Sequence, residues 1–132
     1  MSTNPEGFSV ILETFARKHY CKEFEKKYAQ WHITWKGLEE ILARFNPEAL
    51  SGKLEPPIKR SADGSLVLCK MSFRIAGTDT SAKSSGNRLI FVCNNSEQVI
   101  RVLLVYNKND IKGKRETDWW MGLVYDQYNG LP

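Results

Sequence analysis

The sequence has few of the residues from which covalent or metal cross-links are built. Its 132 residues include three cysteines, Cys21, Cys69 and Cys93, and no two of them form a CxxC pair. An odd number of cysteines without that spacing argues against a disulfide framework and against a zinc site, so we expect no metal and no other cofactor. Cys69 and Cys93 lie in apolar runs and are predicted to be small core residues, and such reduced thiols indicate the cytoplasm.

Long apolar runs are also missing, and so is a basic stretch followed by an apolar one near the N-terminus. A membrane-spanning helix needs about 18 apolar residues in succession, and a signal peptide needs both parts of the N-terminal pattern. The sequence therefore predicts a cytoplasmic protein that has no membrane partner. Internal repeats and low-complexity tracts are absent too, and the length predicts one domain, residues 1–132.

The balance of charge is mildly basic. Lys and Arg number 19 against 15 Asp and Glu, which gives a formal net charge of +4. Such an excess favours an anionic partner such as nucleic acid. Many basic proteins of this size bind nothing anionic, so the charge alone leaves the question open.

Hydrophobic periodicity predicts an α+β fold. Short β-branched or alternating apolar runs predict strands at residues 8–12, 66–75, 88–93 and 98–106. Apolar residues spaced three and four apart predict helices at residues 14–28, 34–45 and 116–128. Residues 47–64, rich in Pro and Gly, are predicted to be a loop. The order β-α-α-β-β-β-α indicates an N-terminal strand and an αα-hairpin packed on a small antiparallel sheet.

One face of the predicted strand 66–75 is polar, because side chains alternate between the two faces of a strand. The apolar face belongs to the core, and the polar residues are predicted to converge with those of neighbouring segments on one solvated, concave surface. These residues are Lys70, Ser72, Arg74, Lys83, Arg88 and Lys108. A planar Arg donor group suits a phosphate. The competing interpretation is an ordinary solvated sheet face, on which Lys and Arg are common.

A second group of cations, including Arg17, Lys18 and Lys27, surrounds the apolar stripe of the predicted first helix. A solvated helix face is the usual interpretation of such a group, and contact with RNA is the alternative. Trp31 and Trp35 flank the link between the helices, where they either pack in the core or contact a partner.

Three stretches of the chain resemble the RelE/HigB/ParE superfamily of bacterial toxins, over roughly residues 8–110. Residues 15–28 resemble the basic first helix of that family. Residues 84–91, Ser-Ser-Gly-Asn-Arg-Leu-Ile-Phe, are similar to its glycine-containing turn that leads an Arg into a strand. Residues 102–110, with Tyr106 and Lys108, are similar to the end of its last strand. The resemblance implies a RelE-like fold.

The resemblance also implies a function, because RelE-like toxins cut mRNA in the ribosomal A site without a metal. The ribose 2′-OH attacks its own phosphate, so the reaction needs a proton acceptor, a donor for the leaving oxygen and cations for the developing charge. By position, Arg74 and Arg88 would clamp the phosphate, and Lys70 or Lys108 would transfer a proton or supply charge. Tyr125, or alternatively Tyr128, would stack on a base or transfer a proton.

The remaining implied RNA contacts are Lys83, Ser72, Asn109, Arg17, Lys18 and Lys27. Ser72 and Asn109 depart from the family, since RelE members often carry Lys and a second base at these places. The implied partners are mRNA, the ribosome and a cognate antitoxin that covers the cations. Two alternatives stay open: a catalytically weak or inactive RelE-fold module that binds RNA or protein, and a ParE-like inhibitor of DNA gyrase.

Overall fold

The computed structural model describes residues 7–45 and 54–132, and it contains one five-stranded sheet. The strands are β1 (Ser9–Leu12), β2 (Leu54–Arg60), β3 (Leu66–Ser72), β4 (Asn87–Asn94) and β5 (Val99–Asn107). The helices are α1 (Thr14–Ala16), α2 (Lys22–Lys27), α3 (Trp31–Ala43), α4 (Ala82–Ser85) and α5 (Glu116–Gln127). A π-helical segment, Arg17–Cys21, joins α1 to α2, and a 3₁₀ turn, Lys108–Asp110, follows β5. The predicted α+β class is confirmed.

The sheet is mixed, with the strand order β1-β5-β4-β3-β2. Strands β2 to β5 form the antiparallel meander, but β1 pairs parallel to β5, with Ser9 opposite Val99 and Leu12 opposite Val102. The prediction of a wholly antiparallel sheet is therefore wrong at this edge. A parallel pair requires a long crossover connection, and here helices α1 to α3 and the meander supply it.

Strand β2 lies within the segment that was predicted to be a loop. Pro56 and Pro57 suggested a turn, yet β2 is an edge strand, where the missing proline N–H groups cost no ladder hydrogen bond. The β2–β3 pairing shifts register between Glu55 and Lys59, around these prolines. Of the rest of the predicted loop, residues 47–53 lie outside the described residues, and residues 61–64 lie in the turn between β2 and β3. Strand β3 ends at Ser72, so Arg74 follows it rather than belonging to it.

Both faces of the sheet are covered by apolar side chains, which form two separate cores. The first core, beneath α2 and α3, includes Cys21, Phe24, Trp31, Leu38, Leu42, Cys69, Phe73, Phe91 and Cys93. The second core, beneath α5, includes Leu68, Ile90, Val92, Leu103, Leu104, Tyr106, Trp120 and Val124. Because β4 and β5 are covered on both sides, their sequences are nearly continuous apolar runs rather than alternating ones.

The helices follow from their apolar spacing. Helix α3 overlaps the helix predicted over residues 34–45, and its buried residues Trp31, Thr34, Leu38 and Leu42 recur every three or four positions. In α5 the buried residues are Trp120 and Val124, one turn apart, and they hold the helix against the second core. Among the described helices, none is both long and apolar enough to cross a membrane.

A buried cluster of charged residues beneath helix α5

Five polar side chains from four strands and one helix meet at the edge of the second core. We call them the charged cluster: Glu55, Lys70, Arg88, Tyr106 and Glu116. The strand register brings them together, since Glu55 pairs with Lys70 across β2 and β3, and Arg88 pairs with Tyr106 across β4 and β5. Glu116 is the first residue of α5 and reaches the same place from above the sheet.

The distances within the charged cluster are those of ion pairs and hydrogen bonds. Lys70 Nζ lies 3.0 Å from Glu116 Oε2 and 3.7 Å from Glu55 Oε1. Arg88 Nε lies 3.4 Å from Glu55 Oε2 and 4.0 Å from Glu116 Oε2. The Tyr106 hydroxyl donates a hydrogen bond of 2.6 Å to Glu116 Oε2. Two cations therefore face two carboxylates, and the charged cluster carries no net charge.

The cations of the charged cluster are more deeply buried than its carboxylates. The side chains of Lys70 and Arg88 are 7% and 3% exposed, whereas those of Glu55 and Glu116 are 19% and 26% exposed. Buried cations persist only when they are paired, because an isolated charge loses its hydration without compensation. The two carboxylates are thus what allows Lys70 and Arg88 to lie inside the protein.

The protonation states in the charged cluster follow from burial and neighbours. Burial raises the pKa of Tyr106, and the hydrogen bond to Glu116 and the negative charge of that carboxylate raise it further. Burial alone would raise the pKa of Glu116, but the hydrogen bonds from Tyr106 and Lys70 and the charges of Lys70 and Arg88 outweigh it, so this pKa is lowered. At neutral pH, Tyr106 is a hydrogen-bond donor and Glu116 is an anion.

Two polar atoms of the charged cluster have an unused hydrogen-bonding capacity. Glu55 Oε2 and Arg88 Nε are buried, and within residues 7–45 and 54–132 neither makes a hydrogen bond. The terminal nitrogens of Arg88 donate to the carbonyls of Asn87, at 3.0 Å, and Lys83, at 3.3 Å. The guanidinium group is therefore held by backbone on one side, while its Nε and the Glu55 carboxylate face each other without a bond of good geometry.

A groove of about 760 Å³ adjoins the charged cluster. Helix α3 supplies one apolar wall with Ile33 and Ile41, which are 59% and 48% exposed. The other lining residues include Glu55, Arg74 and Lys83. Glu55 belongs to both the groove and the charged cluster, so the two adjoin at this residue, and two exposed cations, Arg74 and Lys83, line the groove.

The predicted site residues are only partly brought together. Lys70 and Arg88 share the charged cluster, and Ser72 pairs with Arg88 in the β3–β4 ladder. The predicted solvated face is wrong, since α5 covers this side of the sheet and both cations are buried and neutralised. Arg74 and Lys83 lie instead in the groove.

The predicted residues at the end of β5 lie outside the charged cluster and the groove lining. Lys108 is exposed in the 3₁₀ turn, where its backbone N–H bonds to Gly86. Asn109 is exposed too, and its backbone N–H donates to the Asn107 side chain at 2.8 Å. Arg17, Lys18 and Lys27 are exposed on the π-helical segment and α2. Within the described ranges, none of these residues forms an ion pair with a residue of the charged cluster.

The tyrosine of the charged cluster is Tyr106 and not the predicted Tyr125. Tyr125 lies about 13 Å from Glu116 along the axis of α5, at the usual rise of about 1.5 Å per residue. Its hydroxyl donates to the carbonyl of Pro132 at 2.6 Å. Tyr128 is also engaged elsewhere, since its hydroxyl donates to the carbonyl of Leu103 at 2.8 Å. Tyr106 could have been found from the register of the β4–β5 hairpin, which sets it opposite Arg88.

Within the described ranges, no group of three or more His, Cys, Asp or Glu residues is arranged to hold a metal ion. The mixture of cations, carboxylates and a phenol in the charged cluster is chemically suited to binding an anion and to moving protons. Comparison with known proteins gives no match, either to a family model, to a curated protein or to a solved structure.

Proposed function

We propose that the chain is a RelE-like, metal-independent endoribonuclease that cuts mRNA on the ribosome, the toxin of a type II toxin–antitoxin pair whose cognate antitoxin neutralises it. The observation that carries the proposal is the charged cluster itself. Groups able to accept a proton, donate a proton and stabilise a phosphate lie within about 4 Å of one another, beside an open groove. The N-terminal strand, the helices and strands β3 to β5 come in the predicted order β-α-α-β-β-β-α, with β2 as an additional edge strand.

The roles follow from the contacts of each group. Glu55 is the proton acceptor for the ribose 2′-OH, because its buried Oε2 has no hydrogen-bond donor in the described ranges. Lys70 and Arg88 stabilise the negative charge that grows on the phosphate, and the Lys70 ammonium protonates the leaving 5′ oxygen. Tyr106, held protonated by its raised pKa, donates a hydrogen bond to a phosphoryl oxygen. Arg74 and Lys83 bind the flanking backbone in the groove.

The proposal is tested by expressing the protein under tight control and mapping the 5′ ends of cellular mRNA. Wild type should arrest growth and cut mRNA in phase with codons. The near-isosteric variants Glu55→Gln and Tyr106→Phe should lower the cutting rate, by about 100-fold or more for the loss of the proton acceptor. The control Lys112→Gln removes an exposed charge after β5 and should cut like wild type. Thermal unfolding of each variant shows whether it is folded.

Two results would contradict the proposal in different ways. Growth arrest without mRNA cutting would reject the nuclease activity. Normal cutting by both Glu55→Gln and Tyr106→Phe would reject the charged cluster as the site.

One observation favours a second candidate, a catalytically inactive module of the same fold that binds RNA or a protein. Both buried cations are already neutralised by Glu55 and Glu116. A purely structural ion cluster would look the same. In that case the purified protein would bind RNA through Arg74 and Lys83 without cutting it. The variants Arg74→Gln and Lys83→Gln would then weaken RNA binding.

A further inference from the structure

Two hydrogen-bond donors and a nearby guanidinium group converge on a single oxygen atom in the charged cluster. Glu116 Oε2 accepts from the Tyr106 hydroxyl at 2.6 Å, lies 3.0 Å from Lys70 Nζ and lies 4.0 Å from Arg88 Nε, which is the distance of an ion pair and not of a hydrogen bond. All three groups come from the sheet, whereas the oxygen comes from α5. Cationic and hydroxyl groups hold an oxygen of a bound anion in the same way.

Glu116 is more exposed to solvent than Lys70 and Arg88. Its side chain is 26% exposed, and the residue begins α5 directly after the loop that follows the 3₁₀ turn. Helix α5 is anchored further along, by Trp120 and Val124 in the second core. The Glu116 carboxylate can therefore rotate out toward solvent while these anchors stay packed.

The charge balance identifies the kind of anion that could replace the carboxylate. With Glu116 in place, two cations oppose two carboxylates. Without it, Lys70 and Arg88 oppose Glu55 alone, which leaves one positive charge in a buried place. A phosphodiester carries one negative charge and restores the balance, while a phosphate monoester, with nearly two, exceeds it.

We propose that Lys70, Arg88 and Tyr106 form a phosphodiester-binding site, and that Glu116 occupies it in the resting protein as an intramolecular substitute for a phosphoryl oxygen. Nucleic acid then binds only when its phosphate displaces Glu116, so the first turn of α5 keeps the site closed. This deepens the proposed function and rests on it for the assignment of RNA as the ligand. The binding step itself requires no cleavage.

The test measures the affinity of the full chain for a short RNA oligonucleotide whose 2′-hydroxyls are methylated, which prevents cutting. Fluorescence anisotropy at one fixed salt concentration compares wild type with Glu116→Gln and Asp118→Asn. Both variants remove one negative charge from the first turn of α5, but Asp118 is exposed and makes no ion pair within the described residues. Glu116→Gln should bind about tenfold more tightly than wild type, because a like charge in the place of the phosphate opposes binding. Asp118→Asn should stay within about twofold of wild type, as expected for an exposed charge.

Two results would overturn the proposal. Equal tightening of RNA binding by both variants would mean that overall charge controls the affinity. No tightening by Glu116→Gln would mean that this carboxylate does not oppose RNA binding. Should Glu116→Gln fail to fold, the side-chain carboxyl ¹³C NMR signal of Glu116 in wild type provides the test. Saturating oligonucleotide should move this signal toward the position of an exposed, unpaired glutamate. An unchanged signal would overturn the displacement.

The outcomes separate this proposal from the nuclease assignment. Tighter binding by Glu116→Gln together with no mRNA cutting by wild type would uphold the closed phosphodiester site and reject the nuclease. Cutting by wild type together with unchanged binding by Glu116→Gln would do the reverse.

Discussion

The two faces of the sheet are built on different physical principles. The face beneath α2 and α3 is largely apolar, with aromatic pairs such as Phe45 and Phe91, whose ring centroids lie 5.1 Å apart edge to face. The face beneath α5 combines an apolar core with the charged cluster, in which paired charges are buried at its edge. The first face is stabilised mainly by packing, although the groove borders it at α3, whereas the second face also holds paired charges.

The difference teaches where function can reside in this fold. Packing of the first core has one good arrangement, because close-packed side chains tolerate little change. Under the displacement proposed above, the charged cluster would have two arrangements of similar charge balance, one with the Glu116 carboxylate in place and one with an external anion. The first face is therefore expected to determine stability, and the second face binding.

The largest expected effect is the loss of folding stability caused by a substitution in the first core. Phe91 is fully buried in the first core, so Phe91→Ala should lower the free energy of unfolding by about 3–5 kcal/mol through lost burial and the cavity left behind. Phe91→Leu, which keeps most of the volume, should cost much less. Denaturant unfolding measures both. A loss below about 2 kcal/mol for Phe91→Ala would mean that this face is not the main source of stability.

A somewhat smaller loss of folding stability is expected from a substitution in the charged cluster on the second face. Arg88→Met leaves two carboxylates with one buried cation and should cost about 3 kcal/mol. The matched control is Arg101→Met, which breaks the part-exposed pair with Glu13 and should cost less than about 1 kcal/mol. Adding Glu55→Gln to Arg88→Met should recover part of the loss, because it removes an unpaired charge. Strictly additive losses would show that the charged cluster does not act as a unit.

The apolar half of this comparison could be predicted from the sequence, and the charged half could not. The alternation in β3 assigns Val67, Cys69 and Met71 to one face, and all three are buried in the first core. The same alternation assigns Lys70 to the other face, but it does not say what covers that face. A period of two reports the side on which a residue lies and nothing about elements distant in sequence.

The two carboxylates were missed for separate reasons. Glu55 directly precedes Pro56 and Pro57, so local signals indicated a loop where the chain forms an edge strand. Glu116 was placed on the predicted last helix, and that helix is confirmed, but its position over Lys70 depends on Trp120 and Val124 packing in the second core. Such long-range contacts are decided by tertiary packing, which local propensity does not report.

The pH dependence of stability should also distinguish the faces. The lowered pKa of Glu116 means that its ionised form stabilises the fold. This contribution is present above the ordinary glutamate pKa of about 4.3 and is lost as the pH falls through the lower folded value. Glu116→Gln should therefore show a shallower loss of stability on acidification than wild type. Asp118→Asn, the control, should follow wild type, and denaturant unfolding at about pH 7 and below about pH 4 measures the difference. If the stability of Glu116→Gln fell with pH as steeply as that of wild type, Glu116 would not be a source of acid sensitivity.

The smallest expected effect is on the rate at which the cysteine thiols react with an added reagent. All three thiols lie in the first core. Burial raises the pKa of Cys21 and of Cys69 to about 12 and that of Cys93 to about 11. At about pH 8 even Cys93 is then a thiolate in only about one molecule in a thousand, and the thiolate is the reactive form. A chromogenic disulfide reagent should react negligibly with the native protein and with all three thiols after unfolding. Phe91→Ala should speed the native reaction, whereas Glu116→Gln should not, since it changes only the opposite face. Equal acceleration by the two variants would mean that opening the site under α5 also loosens the first core, and that the two faces are not independent.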